Sequence, residues 1–130
     1  MRTQFFIFSG SLASESSETN KQATDMIKKC LSGNPSIVYR NVDGCYKGST
    51  EQSFLVDAKH EEVVMHLAKM TRQESVLFVD RKGGAHLIYP GMGYLTEKLS
   101  GKFQEVDRDK ALELDNFTRD ASTNTYWAVV

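Results

Sequence analysis

Short apolar runs closed by glycine or polar turns alternate along this chain with two stretches whose apolar residues recur at helical spacing. Thr3 to Ser9 (TQFFIFS) is aromatic-rich and ends at Ser9-Gly10-Ser11, the pattern of a buried strand running into a tight connection. Glu15 and Glu18 suit the positive end of a helix, and Ala23, Met26, Ile27, Cys30 and Leu31 then mark its apolar face. Gly33-Asn34-Pro35 stops it. Ser36 to Val42 and Gln52 to Val56 read as strands around a Gly44–Gly48 connection. Asp57 can cap a second helix with Glu61 and Glu62 in its first turn and Val63, Val64, Leu67, Ala68 and Thr71 on its apolar face. Ser75 to Val79 and Ala85 to Tyr89 form a hairpin around Asp80–Gly84, closed by Pro90-Gly91-Met92-Gly93.

The order is strand, helix, strand, strand, helix, strand, then an extra strand and an irregular tail ending in the strand-like YWAVV. It predicts an α/β (α+β) sandwich, a ferredoxin-like split βαβ with an antiparallel sheet and two helices on one face. A sandwich this small leaves a sheet face uncovered, and Phe103, Phe117, Tyr126 and Trp127 are apolar material for a subunit contact. An oligomer is expected.

With 130 residues, 40% hydrophobic and 25% charged, the chain is expected to form one domain over residues 1–130. A net charge of −1 provides no broad basic surface, which argues against nucleic acid as a partner. No apolar run has the length of a membrane span, and MRTQFFIFSG is too short for a signal peptide, so the cytoplasm is the expected compartment. Cys30 and Cys45 have no metal or redox spacing and read as buried or half-buried small hydrophobes.

No P-loop, GxSxG, HExxH, zinc-ligand set or dinucleotide fingerprint is present, so neither cofactor nor metal is expected. His60, His66 and His86 read as surface or hydrogen-bonded structural residues. Polar residues do gather at the ends of apolar strands: Ser9 after FFIF, Tyr46 in GCYKG, Glu51 before SFLV, and Gln73-Glu74 before SVLFV. By pattern alone each has a plain structural reading, Tyr46 as a loop anchor, Glu51 as a solvated acid, and Gln73 and Glu74 as a helix-to-strand turn.

The segments VDGCYKG, TEQSFLV, QESVLFVDRKGGAHLIYPGMGY and EKLSGKFQEVDRDKALELDNFT, in this order, resemble the S-adenosylmethionine lyases of tailed phages, formerly termed hydrolases. The likeness runs from about Asn41 to Thr118 and is carried by GCY, the LIY strand, a G-Y-x-x-E-x-L turn and GKFQEV. It implies a GlnB-like homotrimer with active sites between subunits, acting on S-adenosylmethionine against host restriction, with the host's methionine adenosyltransferase as a possible partner. Carried over by position, Tyr46 and Glu51 are the catalytic residues, and Gln73 and Glu74 are a substrate-binding pair supplied by a neighbouring chain. The loop from Tyr46 to Glu51 is shorter here than in the family, leaving the register of Glu51 open by one residue.

The reaction so implied needs little acid–base machinery. The substrate carries its own nucleophile, the methionine carboxylate, and a sulfonium leaving group, so closing a lactone requires mainly a folded conformer. Glu51 would hold the α-ammonium, Tyr46 would face the sulfonium, and the Ser9-Gly10 backbone would approach the adenine. Direct hydrolysis to homoserine is the chemical alternative. A GlnB-like module that binds a ligand or inhibits a protein without turnover, and a ferredoxin-like RNA-binding module, are the non-enzymatic ones.

Overall fold

The apolar run at the start of the chain forms strand β1 (Phe5–Ser9) in the computed structural model, which describes residues 3–12, 14–46 and 48–130. Its alternate residues face two environments, as the pleat of a strand requires. Phe6 and Phe8 join a buried cluster with Ile27 and Leu31 of helix α1 (Ser17–Ser32) and Val64, Leu67 and Ala68 of helix α2 (Glu61–Met70). Phe54 and Val56 of strand β3 (Ser49–Asp57) complete that layer. Phe5 and Ile7 point the other way, and the Phe5 ring meets Phe103 edge-on, with centroids 5.7 Å apart.

Local signals set the helix ends. The Ser16 hydroxyl accepts from the Thr19 amide at the start of α1, with Glu18 in its first turn, and the Gly33 amide donates to the Lys29 carbonyl at its end. Asp57 caps a single 3-10 turn, Ala58–His60, ahead of α2. Asp107 caps a short helix α3 (Arg108–Glu113), whose Ala111 is buried.

The remaining strands are β2 (Tyr39–Tyr46), β4 (Val76–Val79), β5 (Gly84–Tyr89), β6 (Leu95–Val106), β7 (Phe117–Asp120) and β8 (Thr125–Val129). Every pairing is antiparallel, and the neighbour order β1-β3-β2-β7-β8-β6-β5-β4 returns β4 to β1 as a closed barrel. Helices α1 and α2 lie outside it, on the face carrying Phe6, Phe8, Phe54, Val56 and Val76. Phe5, Ile7, Leu55 and Phe103 lie on the inner face.

This closure overturns the expected ferredoxin-like, GlnB-like sandwich with an open sheet. In an open sheet β2 and β4 would be free edges. Instead β7 pairs with β2 from Asp43↔Arg119 to Cys45↔Phe117, β5 pairs with β4 from Val76↔Ile88 to Val79↔Ala85, and β6 and β8 join the two halves. Closing the sheet satisfies the backbone donors and acceptors that an edge leaves unpaired. The apolar tail expected to be irregular supplies that closure: Phe103 stacks on Trp127 at 5.7 Å and Phe117 packs on Tyr126 at 5.8 Å.

Two smaller expectations also change. Strand β2 runs through Gly44-Cys45-Tyr46, residues expected in a connection, so Glu51 sits within a hairpin opposite Gly44; Lys47, expected in the same connection, lies outside the described residues. Cys30 is exposed, not buried. Among the described residues no helix is long and apolar enough to cross a membrane.

Candidate active site

Because neighbouring strands run antiparallel, the end of β1 lies beside the ends of β2 and β5 and the starts of β3, β4 and β6. Ser9 closes β1, Tyr46 closes β2, Tyr89 closes β5, Glu51 and Glu97 are the third residues of β3 and β6, and Gln73-Glu74 precede β4. One mouth of the barrel therefore gathers the strand-end residues Ser9, Tyr46, Glu51, Gln73 and Glu74. By strand alternation Ser9, Tyr46, Glu51, Tyr89 and Glu97 fall on the inner face at that rim.

Glu51 is half-buried, and removal from water pushes its carboxyl pKa above the ordinary value of 4.5. The Ser9 hydroxyl donates to it and opposes that shift. Gly44, directly opposite Glu51, is a glycine for lack of space: a Cβ there would lie 2.6 Å from the hydroxyl of buried Ser53. Among the described residues Glu51 has no ion-pair partner, and a partly desolvated carboxylate of that kind is suited to receive a cation.

The segment after Ser9 is held from α2. Gln73 Nε2 donates to the Ser11 carbonyl at 3.2 Å, the Ser11 amide donates to Ser9 Oγ at 2.9 Å, and Ser9 donates to Glu51. Arg72, in the left-handed region at φ 55°, reaches Glu15 at 3.0 Å and ties down the same segment. Gln73 is thus anchored within its own chain, whereas Glu74 is exposed at the rim. At Gly10 the place of a side chain is already taken by Ile27 and Ala23 of α1, with a Cβ 2.8 Å from Ile27 Cδ1.

Sequence reasoning missed Tyr89 and Glu97. The Tyr89 hydroxyl donates to Glu97 at 2.9 Å, and this bond, with the charges of Glu97 and Glu74 and the nearby Tyr46, holds its phenol above the ordinary pKa of 10.0. Their signal lay in the G-Y-x-x-E-x-L turn, where Glu97 is the acid, and in the last residue of the LIY strand. Among the described residues none of Glu51, Glu74 and Glu97 is in an ion pair, and no group of three or more metal-ligating side chains occurs. The mouth is acidic and aromatic, a surface for an organic cation.

Two open clefts lie elsewhere. One of about 310 Å³ runs between Gly10, α1 and the end of α2, and one of about 540 Å³ lies beside β5 and β6; neither includes Glu51 or Tyr46.

A family model described as the S-adenosylmethionine lyase family matches residues 6–130, from the first strand through the last. The chain belongs to the S-adenosylmethionine lyase family. A search of curated proteins finds none that matches it. The lyase acts on S-adenosylmethionine, and the resemblance read from Asn41 to Thr118 extends through both termini of the barrel. Its substrate bears a sulfonium and an ammonium.

Proposed function

We propose that this lyase converts S-adenosylmethionine into methylthioadenosine and L-homoserine lactone at the barrel mouth formed by Ser9, Tyr46, Glu51, Glu74, Tyr89 and Glu97. The observation that carries this reading is the convergence at one barrel end of tyrosines and of three carboxylates that, among the described residues, are in no ion pair, with Glu51 half-buried. A carboxylate oxygen of the substrate forms a bond to its own γ-carbon, the γ-carbon–sulfur bond breaks, and both electrons of that bond leave on the thioether sulfur. No proton is transferred in this step.

Glu51 binds the α-ammonium and so folds the methionine chain, with Ser9 holding the carboxylate in place. Set against the sulfonium it would stabilise the ground state, whose charge disappears in the transition state. The faces of Tyr46 and Tyr89 take the sulfonium end. Glu74 belongs to the substrate clamp, and Gln73 acts through the Ser11 carbonyl. Residues 1–130 work as one domain. The lyase is a homotrimer whose neighbouring subunit completes each mouth, serves a phage against restriction in the cytoplasm of its host, and has the host methionine adenosyltransferase as a candidate partner.

Product analysis of purified protein with S-adenosylmethionine at neutral pH tests the reading. Lactone at the earliest time point, preceding homoserine, is expected. Homoserine from the first time point, with no lactone, replaces it with hydrolysis, and consumption of a single equivalent replaces it with a binding module.

A further inference from the structure

On the outer face of the barrel, the β4–β5 turn and the middle of β6 enclose the cleft of about 540 Å³, lined among others by Asp80, Lys82, Gly84, Lys98, Ser100 and Lys102. An irregular register shapes it. Between the pairs Gly84↔Lys102 and His86↔Lys98, Ala85 on β5 stands against Leu99, Ser100 and Gly101 on β6, and such an excess bends a strand away from its partner. The backbone is packed tightly on both sides. A Cβ at Gly84 would run into the Asp80 carboxylate, and Gly101, at φ +89°, would place one 2.6 Å from the main-chain oxygen of Val130.

The charges in this cleft do not cancel. Among the described residues that line it Asp80 is the one carboxylate, and both of its oxygens are engaged: Oδ1 accepts from the Lys82 and Gly84 amides at 2.9 Å, and Oδ2 lies 2.9 Å from His86 Nε2. Among the described residues none of the Lys82, Lys98 and Lys102 ammonium groups has a carboxylate within 4.0 Å. Three uncompensated lysines thus converge, from a turn and from one strand, on a chain of net charge −1.

We propose that this cleft binds a small polyphosphate, the phosphate chain being either free or carried on a nucleotide. Lysine ammonium groups are compact donors that suit phosphate oxygens. Their disposition around a single depression fits a short anion. By strand alternation Lys98 and Glu97 project to opposite faces of β6, so the cleft and the mouth are separate sites on one strand.

Titration of the full chain at low ionic strength with inorganic triphosphate, ATP and adenosine, read by the backbone amide signals of Gly84 and Gly101, tests this. Triphosphate and ATP are expected to move those signals and to lose affinity as salt is added, while adenosine leaves them in place. Equal affinities for the two assign the site to the phosphate chain itself; tighter ATP assigns it to a nucleotide. Each of Lys82→Gln, Lys98→Gln and Lys102→Gln should weaken binding about two- to fivefold, the range of an exposed charge pair. The triple variant should abolish binding while still cleaving S-adenosylmethionine, which also reports its fold. No movement at millimolar triphosphate, undiminished binding in the triple variant, or adenosine moving the signals as far as ATP would overturn the proposal.

Discussion

At Glu51 burial opposes ionisation and the Ser9 hydroxyl favours it, and burial is the stronger influence. Since the folded-state pKa is raised, the stability Glu51 contributes is fully present below 4.5 and is lost as pH rises through the raised value. The proposed hold on the substrate ammonium needs the opposite, the charged form. Glu51→Gln should therefore leave the thermal midpoint at pH 7 unchanged or higher, while kcat/KM falls about tenfold to a hundredfold or more, the worth of a charge-assisted contact of about 1.5 to 3 kcal/mol. Tyr46→Phe keeps the aromatic face and should cost less than Glu51→Gln in the same assay. Wild-type turnover by Glu51→Gln alongside a dead Glu74→Gln would move the clamp to the other acid. Ser9→Ala removes the hydrogen bond that favours the carboxylate, so the acid limb of the kcat/KM profile should move to higher pH. A limb that stays put while activity falls uniformly would show that Ser9 acts only by packing.

Among the elements, the β4–β5 hairpin is held at its turn by one side chain. Asp80 receives two turn amides and faces His86, and these bonds hold its carboxyl well below the usual range, at about 2. Asp80→Ala should destabilise the fold by about 1 to 3 kcal/mol through the orphaned Lys82 and Gly84 amides, measured by denaturant midpoint at neutral pH. With the pKa lowered from 3.8, the stability Asp80 contributes is present above 3.8 and lost as pH falls through about 2, so the penalty of Asp80→Ala should shrink across that window. An equal penalty at both ends would contradict the assignment. This hairpin was legible in the sequence because Gly83-Gly84 interrupts two apolar runs, as was α1, whose Ile27 and Leu31 recur at helical spacing. Strand β6 was not. Its apolar residues Leu95, Leu99, Phe103 and Val106 are three or four apart, most of its residues are exposed, and neither alternation nor a run of β-branched residues marks it. Barrel closure was hidden for a different reason: it depends on β6 and β8 pairing across a helix and on β7 returning to β2, which no local pattern encodes. The mouth acids Glu51 and Glu74 were legible as strand-end residues, whereas Glu97 was concealed within that unmarked strand.

Viewed as a whole molecule, the lyase carries an apolar fringe beside its acidic mouth. Met92, Tyr94 and Leu95 on the β5–β6 turn are 65%, 46% and 55% exposed, and Tyr46 across the mouth is 44% exposed. Met70 at the end of α2 is also exposed, and Lys69 lies over the Tyr94 ring at 5.3 Å. Side chains of this kind clustered at one end, rather than scattered, mark a surface that associates. The same end holds the half-buried Glu51, outside both clefts described above; a neighbouring subunit seated on the fringe would add a wall there and exclude water from the cleaved bond. The double variant Met70→Lys with Met92→Lys places like charges on that contact without touching Glu51, Ser9 or Tyr89. Sedimentation velocity should show wild type as a trimer and this variant as a monomer with unchanged far-ultraviolet circular dichroism. Its KM should rise and its kcat fall together, because both substrate enclosure and the dry site are lost. Glu51→Gln, by contrast, should remain a trimer. A double variant that sediments as a monomer and cleaves S-adenosylmethionine at the wild-type rate would place the whole site within one chain, leaving the fringe to serve some other contact.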